Sequence, residues 1–149
     1  MKIAICYYSR HHGNTLKVIE AMTAGQEVDL IDVTVRVAVH LEQYDLIGFA
    51  SGIYYNKYSD AVVSFARQYL PENKKVFFIY TYGAPKVTAT KEIAEAVAEK
   101  QGTVIGEYSC RGFDTFGPFK LVGGIAKGHP TAGELAASKE FFRNLMKQH

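Results

Sequence analysis

Three continuous apolar runs, Ile3 to Tyr8 (IAICYY), Leu46 to Ala50 (LIGFA) and Val76 to Tyr80 (VFFIY), constrain this chain's fold more than any other feature. Each has the length of a strand, and none alternates apolar with polar residues, which is how a strand covered on both faces reads. Such strands belong to parallel sheets with helices on either side. The stretches between them repeat apolar residues at helical spacing: Leu16, Ile19 and Met22; Val62, Phe65, Ala66 and Tyr69; Ile93 and Val97; Leu135, Phe142 and Leu145. A βαβαβ rhythm with right-handed crossovers follows. Val28 to Ile31 and Thr103 to Ser109 supply two further strands, so the prediction is an α/β protein with a five-stranded parallel sheet. Val33, Val35, Val37 and Val39 alternate at period two, which fits either a continuation of the second strand or an irregular connection to Tyr44.

Length and composition narrow the class. A chain of 149 residues with 48% hydrophobic content builds one substantial core, and no repeat or linker divides it, so residues 1–149 are expected to form one domain. The two cysteines, Cys6 and Cys110, make neither a disulfide framework nor a paired-cysteine zinc signature. No apolar stretch approaches the roughly 20 residues that span a bilayer. These features predict a soluble protein of a reducing cytoplasm, without membrane insertion. A net charge of +2, with its lysines and arginines scattered, argues against a nucleic-acid partner.

In an open parallel sheet, ligands bind beyond the carboxyl ends of the strands where strand order reverses. The loops to read are therefore Ser9 to Thr15 (SRHHGNT), Ser51 to Asp60 (SGIYYNKYSD) and Thr81 to Thr88 (TYGAPKVT). The first is dense in donors: the hydroxyls of Ser9 and Thr15, the amide of Asn14, the imidazoles of His11 and His12, and the free N–H groups of a helix start. Gly13 lets the backbone approach closely. This combination suits a terminal phosphate. A nucleoside-triphosphate loop carries a lysine to assist a transferring phosphoryl group, whereas a monophosphate that is only held needs neutral donors. The plainer alternative is an Asn/Thr helix cap after a polar turn. Tyr54, Tyr55 and Tyr58 in the second loop and Tyr82 beside Gly83 in the third suggest a planar ring held between them, against the alternative that tyrosines merely roof the sheet.

With these motifs in place, the chain resembles the flavodoxin-like family over nearly its whole length. SRHHGNT is similar to the family's Ser/Thr-rich, Gly-Asn-Thr phosphate loop, GFASGIYY to the loop after the third strand, and FIYTYGA to the end of the fourth. The resemblance implies a doubly wound three-layer sandwich with strand order 2-1-3-4-5 and a site for flavin mononucleotide (FMN). Its phosphate would lie on Ser9, Arg10, His11, His12, Gly13, Asn14 and Thr15. Its ring would lie between Ser51, Gly52, Ile53 and Tyr54 on one side and Thr81, Tyr82, Gly83 and Ala84 on the other. A monomer is expected, with a dimer as the alternative.

The stretch Cys110 to Pro130 is long enough for a loop of that kind to have a function, and Phe113, Phe116 and Phe119 predict that it packs down over the cofactor edge. Cys110 reads as a buried structural thiol. His129 reads as the lead-in to the last helix, with a carboxylate pairing such as Asp114 left open. Two functions fit the resemblance. One is an electron carrier that docks with redox partner proteins, a reductase and an acceptor. The other is an FMN-dependent NAD(P)H oxidoreductase acting on quinones or another small acceptor. Charge and the aromatic loop favour the enzyme, while size and the lack of a nicotinamide motif or an acid/base pair favour the carrier, which is the reading adopted. A phosphate-receiver module of the same topology is disfavoured, because Ser51 stands where the third strand of such a module ends in aspartate.

Overall fold

The computed structural model describes residues 1–10, 13–35, 39–84, 88–113 and 124–149. In chain order the elements are β1 (Ile3–Tyr8), α1 (Asn14–Thr23), β2 (Val28–Asp32), a single 3-10 turn (Leu41–Gln43), β3 (Leu46–Tyr54), β4 (Lys57–Tyr58), α2 (Asp60–Tyr69), β5 (Lys75–Tyr82), α3 (Lys91–Glu99), β6 (Thr103–Arg111) and α4 (Ala132–Gln148). Five parallel strands pair in the order β2-β1-β3-β5-β6, and the two-residue β4 pairs antiparallel with β3. The main strands thus have the expected 2-1-3-4-5 arrangement.

Period-two alternation assigns the two faces. Ala4 and Cys6 of β1, Ile47 and Phe49 of β3, and Val76 and Phe78 of β5 share one core with Val62, Phe65 and Ala66 of α2 and Ile93 and Val97 of α3. Their neighbours Ile3, Ile5, Leu46, Ala50, Phe77 and Ile79 share the other with Val18, Ile19 and Met22 of α1 and Phe142 and Leu145 of α4. Both faces of the central strands are therefore apolar, which is why their sequences show no polar alternation. The register sets Tyr8 beside Ser51 and Gly52 beside Thr81, so β1, β3 and β5 end together at the point where strand order reverses.

The structure decides one alternative the sequence left open and departs from the sequence reading at a second place. β2 stops at Asp32, where the Asp32 carboxylate accepts from the N–H and hydroxyl of Thr34 and turns the chain. The valine alternation beyond it is therefore an irregular connection: Val33 and Val39 pack on the core, Val35 is exposed, and Val37 lies outside the described residues. The second is the hairpin of β3 and β4. Tyr55 and Asn56 form its two-residue tip with φ of 48° and 69°, the positive pair that a tight hairpin turn requires. That turn sends Tyr58 back inward. It is fully buried, its hydroxyl set between the carbonyls of Phe49 at 3.1 Å and Ile79 at 2.9 Å. Tyr58 is thus a core residue and not one of the cleft aromatics.

Candidate functional site

Beyond the ends of β1, β3 and β5 a cleft opens, lined by Arg10, Asn14 and Thr15 on one side, by Gly52, Ile53, Tyr54, Thr81, Tyr82 and Gly83 on the other, and by Gly112 and Phe113 from the end of β6. Its first wall is the start of α1. Gly13 takes φ of 66° and offers no side-chain cap, and the first turn carries no carboxylate that would compete with an anion. The Ser9 hydroxyl accepts the Leu16 N–H at 3.1 Å and folds the loop onto the helix. Thr15 and Thr81, both buried, share a hydrogen bond of 2.9 Å across the sheet end. Whichever donates, the other keeps its own O–H free to donate.

Asn14 is the most informative residue. Its side-chain N–H donates to the Phe113 carbonyl at 2.8 Å, while Oδ1 is buried without a hydrogen-bond partner among the described residues. Flipping the amide would set oxygen against the Phe113 oxygen, so the orphan is an acceptor. Leaving such an atom unpaired costs about 1 to 3 kcal/mol, which a ligand hydroxyl would recover. Gly112 holds Asn14 there: a Cβ on Gly112 would lie 2.6 Å from the Asn14 amide nitrogen.

On the ring side, Tyr54 is braced edge-on by Tyr8, with ring centroids 6.0 Å apart and planes at 78°. Its hydroxyl lies 3.1 Å from where a Gly52 Cβ would stand, so Gly52 admits the tyrosine. Tyr82 leans on Tyr80. The Gly83 carbonyl accepts from the Arg111 guanidinium, from Nη2 at 3.0 Å and Nε at 3.3 Å.

Of the residues expected in the site, Arg10, Asn14, Thr15, Gly52, Ile53, Tyr54, Thr81, Tyr82 and Gly83 are brought together at the cleft. Ser9 and Gly13 shape the loop behind it. Ser51 is fully buried and faces inward: its hydroxyl donates to the Gly52 carbonyl and accepts from the Ser59 N–H at 2.9 Å, joining the end of β3 to α2. Ala84 is half-buried and does not line the cleft. His11 and His12 lie outside the described residues, as do Asp114, Phe116, Phe119 and Lys120 of the long segment. Gly112 was not singled out from sequence, because the contact that defines it joins residues about a hundred positions apart and leaves no local pattern.

Two basic groups of the described loops, Arg10 and Lys57, have partners within the chain. Arg10 lies over the Tyr8 ring and donates to Thr34 at 3.2 Å, and Lys57 lies 3.7 Å from Asp60 and 3.6 Å from Glu92. Behind the cleft, His129 pairs through Nδ1 with Glu134 Oε1, and Glu134 also accepts the N–H groups of Thr131 and Arg111. Burial works against the Glu134 carboxylate, but these donors outweigh it and hold its pKa below the ordinary value. The Phe113 N–H donates to the His129 carbonyl at 3.0 Å. Cys110 is a buried thiol, pushed up to about 12 chiefly by burial, with the Glu134 charge adding to it.

A doubly wound sheet with a donor-lined cleft at its switch point defines the class of open α/β proteins whose ligand sites lie beyond the strand ends. Residues 4–115 match the flavodoxin domain model, and the chain belongs to that family, whose members characteristically bind FMN. It is 36% identical over 149 residues to an uncharacterized protein of Methanocaldococcus jannaschii, covering 99% of both chains. Among solved structures it is similar to oxidised flavodoxin 1 from Bacillus cereus, with a TM-score of 0.71, 14% identity and coverage of 100% of this chain and 99% of that one. It is likewise similar to a flavodoxin from the domain Archaea, with a TM-score of 0.65, 20% identity and coverage of 99% and 98%. At these identities the structural likenesses show the fold. No helix of the described residues is long and apolar enough to cross a membrane, and no group of metal-ligating side chains occurs among them.

Proposed function

We propose that this chain is an FMN-binding electron-transfer protein that carries electrons between a reductase and an acceptor protein. The observation that supports it most is the pairing of a helix start without a carboxylate in its first turn with the orphaned Asn14 Oδ1 in one cleft. FMN has both groups these features ask for: an anionic phosphate for the α1 N–H groups and a polyol chain whose hydroxyls donate to a buried acceptor. Ser9, Arg10, Gly13 and Thr15 would hold the phosphate end. Gly52 to Tyr54 and Thr81 to Gly83 would flank the ring. When bound, the flavin supplies one- and two-electron redox chemistry; the chain's own part is to bind it, orient it and exclude water.

Titrating the protein with FMN and with riboflavin tests this reading. Losing the phosphate strands several donors, so riboflavin should bind at least about tenfold more weakly, each lost hydrogen bond to a charged group being worth about 1.5 to 3 kcal/mol. Equal affinities would remove the phosphate assignment. Anaerobic addition of NADH or NADPH alone should leave the bound flavin oxidised. Direct bleaching would assign the chain instead to the FMN-dependent NAD(P)H oxidoreductases.

A further inference from the structure

Where β5 leaves the sheet for the cleft, two consecutive carbonyls are held by two consecutive residues, Arg111 at the end of β6 and Gly112 just past it. The Tyr82 carbonyl accepts the Gly112 N–H at 2.9 Å, and the Gly83 carbonyl accepts the Arg111 guanidinium at 3.0 and 3.3 Å. The first bond prolongs the parallel ladder. The second requires a cationic fork, and Arg111 is itself anchored through its backbone N–H on Glu134 Oε2 at 3.2 Å. Glu134 belongs to the capping box that starts α4, so a continuous chain of bonds runs from α4 to the wall of the cleft.

We propose that Arg111 is a positioning residue for the ligand's ring, an inference that rests on the FMN reading above. Gly83 is buried and lines the cleft, whereas Arg111 does not line it. By turning the Gly83 carbonyl toward β6, the guanidinium keeps a partial negative charge off the wall that meets the ring. The edge of a flavin is itself rich in carbonyl oxygens and ring nitrogens, which are acceptors, and a released carbonyl would oppose them. Two donors on one oxygen also fix the peptide's rotation, which a lysine's single flexible ammonium does less well.

The test compares wild type, Arg111→Gln and Arg111→Lys for dissociation constants of FMN and of riboflavin, and for the visible absorption of the bound flavin. Arg111 is exposed, so both variants should fold, and thermal unfolding of the ligand-free proteins checks this. The expected result for Arg111→Gln is about a tenfold loss for both ligands alike, with a shifted flavin spectrum, and a partial recovery in Arg111→Lys. Unchanged affinity and spectrum in Arg111→Gln would overturn the proposal while leaving the cofactor reading intact. So would a loss confined to FMN, which would place Arg111 on the phosphate side, or an equal loss in both variants with an unaltered spectrum. Failure of the wild-type protein to take up FMN would overturn the cofactor reading and this inference with it.

Discussion

Replacing Gly112 by alanine probes the joint between the end of β6 and the start of α1. The added Cβ would lie 2.6 Å from Asn14 Nδ2, 2.8 Å from its Cγ and 2.9 Å from its Cβ. The last of these is the root of the side chain, so no rotation of Asn14 clears the clash completely and backbone must shift. Overpacking of this kind costs about 1 to 3 kcal/mol. Displacing Asn14 also breaks its bond to the Phe113 carbonyl, worth about 1 kcal/mol. Against this, alanine restricts the unfolded chain and returns about 0.4 to 1 kcal/mol. The steric and hydrogen-bond losses win, and Gly112→Ala should destabilise the ligand-free protein by about 1 to 3 kcal/mol. Urea unfolding should show the midpoint fall by about 1 M at an unchanged slope. Adding Asn14→Ala removes the two nearest contacts and should return most of the loss, giving a coupling of about 1 kcal/mol in the double-mutant cycle. A Gly112→Ala protein as stable as wild type, or strictly additive substitutions, would refute the tight joint.

Thr15→Val alone leaves the buried Thr81 hydroxyl without its partner and should cost about 1 to 3 kcal/mol in urea unfolding, whereas Thr15→Val with Thr81→Val should recover much of that, since neither hydroxyl is then stranded. Glu134 contributes stability that is fully present above its ordinary pKa of 4.5 and is lost as pH falls through its lower folded value; thermal unfolding between pH 3 and 6 should therefore fall more steeply in wild type than in Glu134→Gln. Burial pushes both Cys6 and Cys110 up to about 12, so neither thiol should react with a disulfide reagent at pH 8 in the native protein, and both should react in denaturant.

What could be read from sequence follows the range of the interactions involved. IAICYY, LIGFA and VFFIY were legible because burial on both faces is written into each run locally, and helical spacing did the same for α2 and α3. That Arg10, Asn14 and Thr15 reach the cleft was legible because they lie close together between an apolar strand and a helix start. Tyr58 was misplaced because its direction depends on the positive-φ turn at Tyr55 and Asn56, which reverses the chain where neither residue is glycine. Ser51 was read as part of the site because it follows an apolar strand at the right end of the sheet. Its hydroxyl turns inward only because Ser59, brought back by the same hairpin, offers it an N–H. The Asn14 to Phe113 bond joins the start of α1 to the residues just past β6, and the Arg111 to Gly83 bond joins the ends of two strands far apart in sequence, so no period within the chain announces them.

The bond from the Phe113 N–H to the His129 carbonyl ties the two ends of one chain segment to each other, at the foot of β6 and just ahead of α4. A segment anchored at both ends pays a closure entropy that grows only with the logarithm of its length, so doubling it adds about 0.6 kcal/mol. Residues 114–128 can therefore lengthen, shorten or change composition across relatives at little cost, provided the pair at the base persists. Variation in length and composition can then accumulate in that one segment while the sheet, α1 and α4 stay as they are.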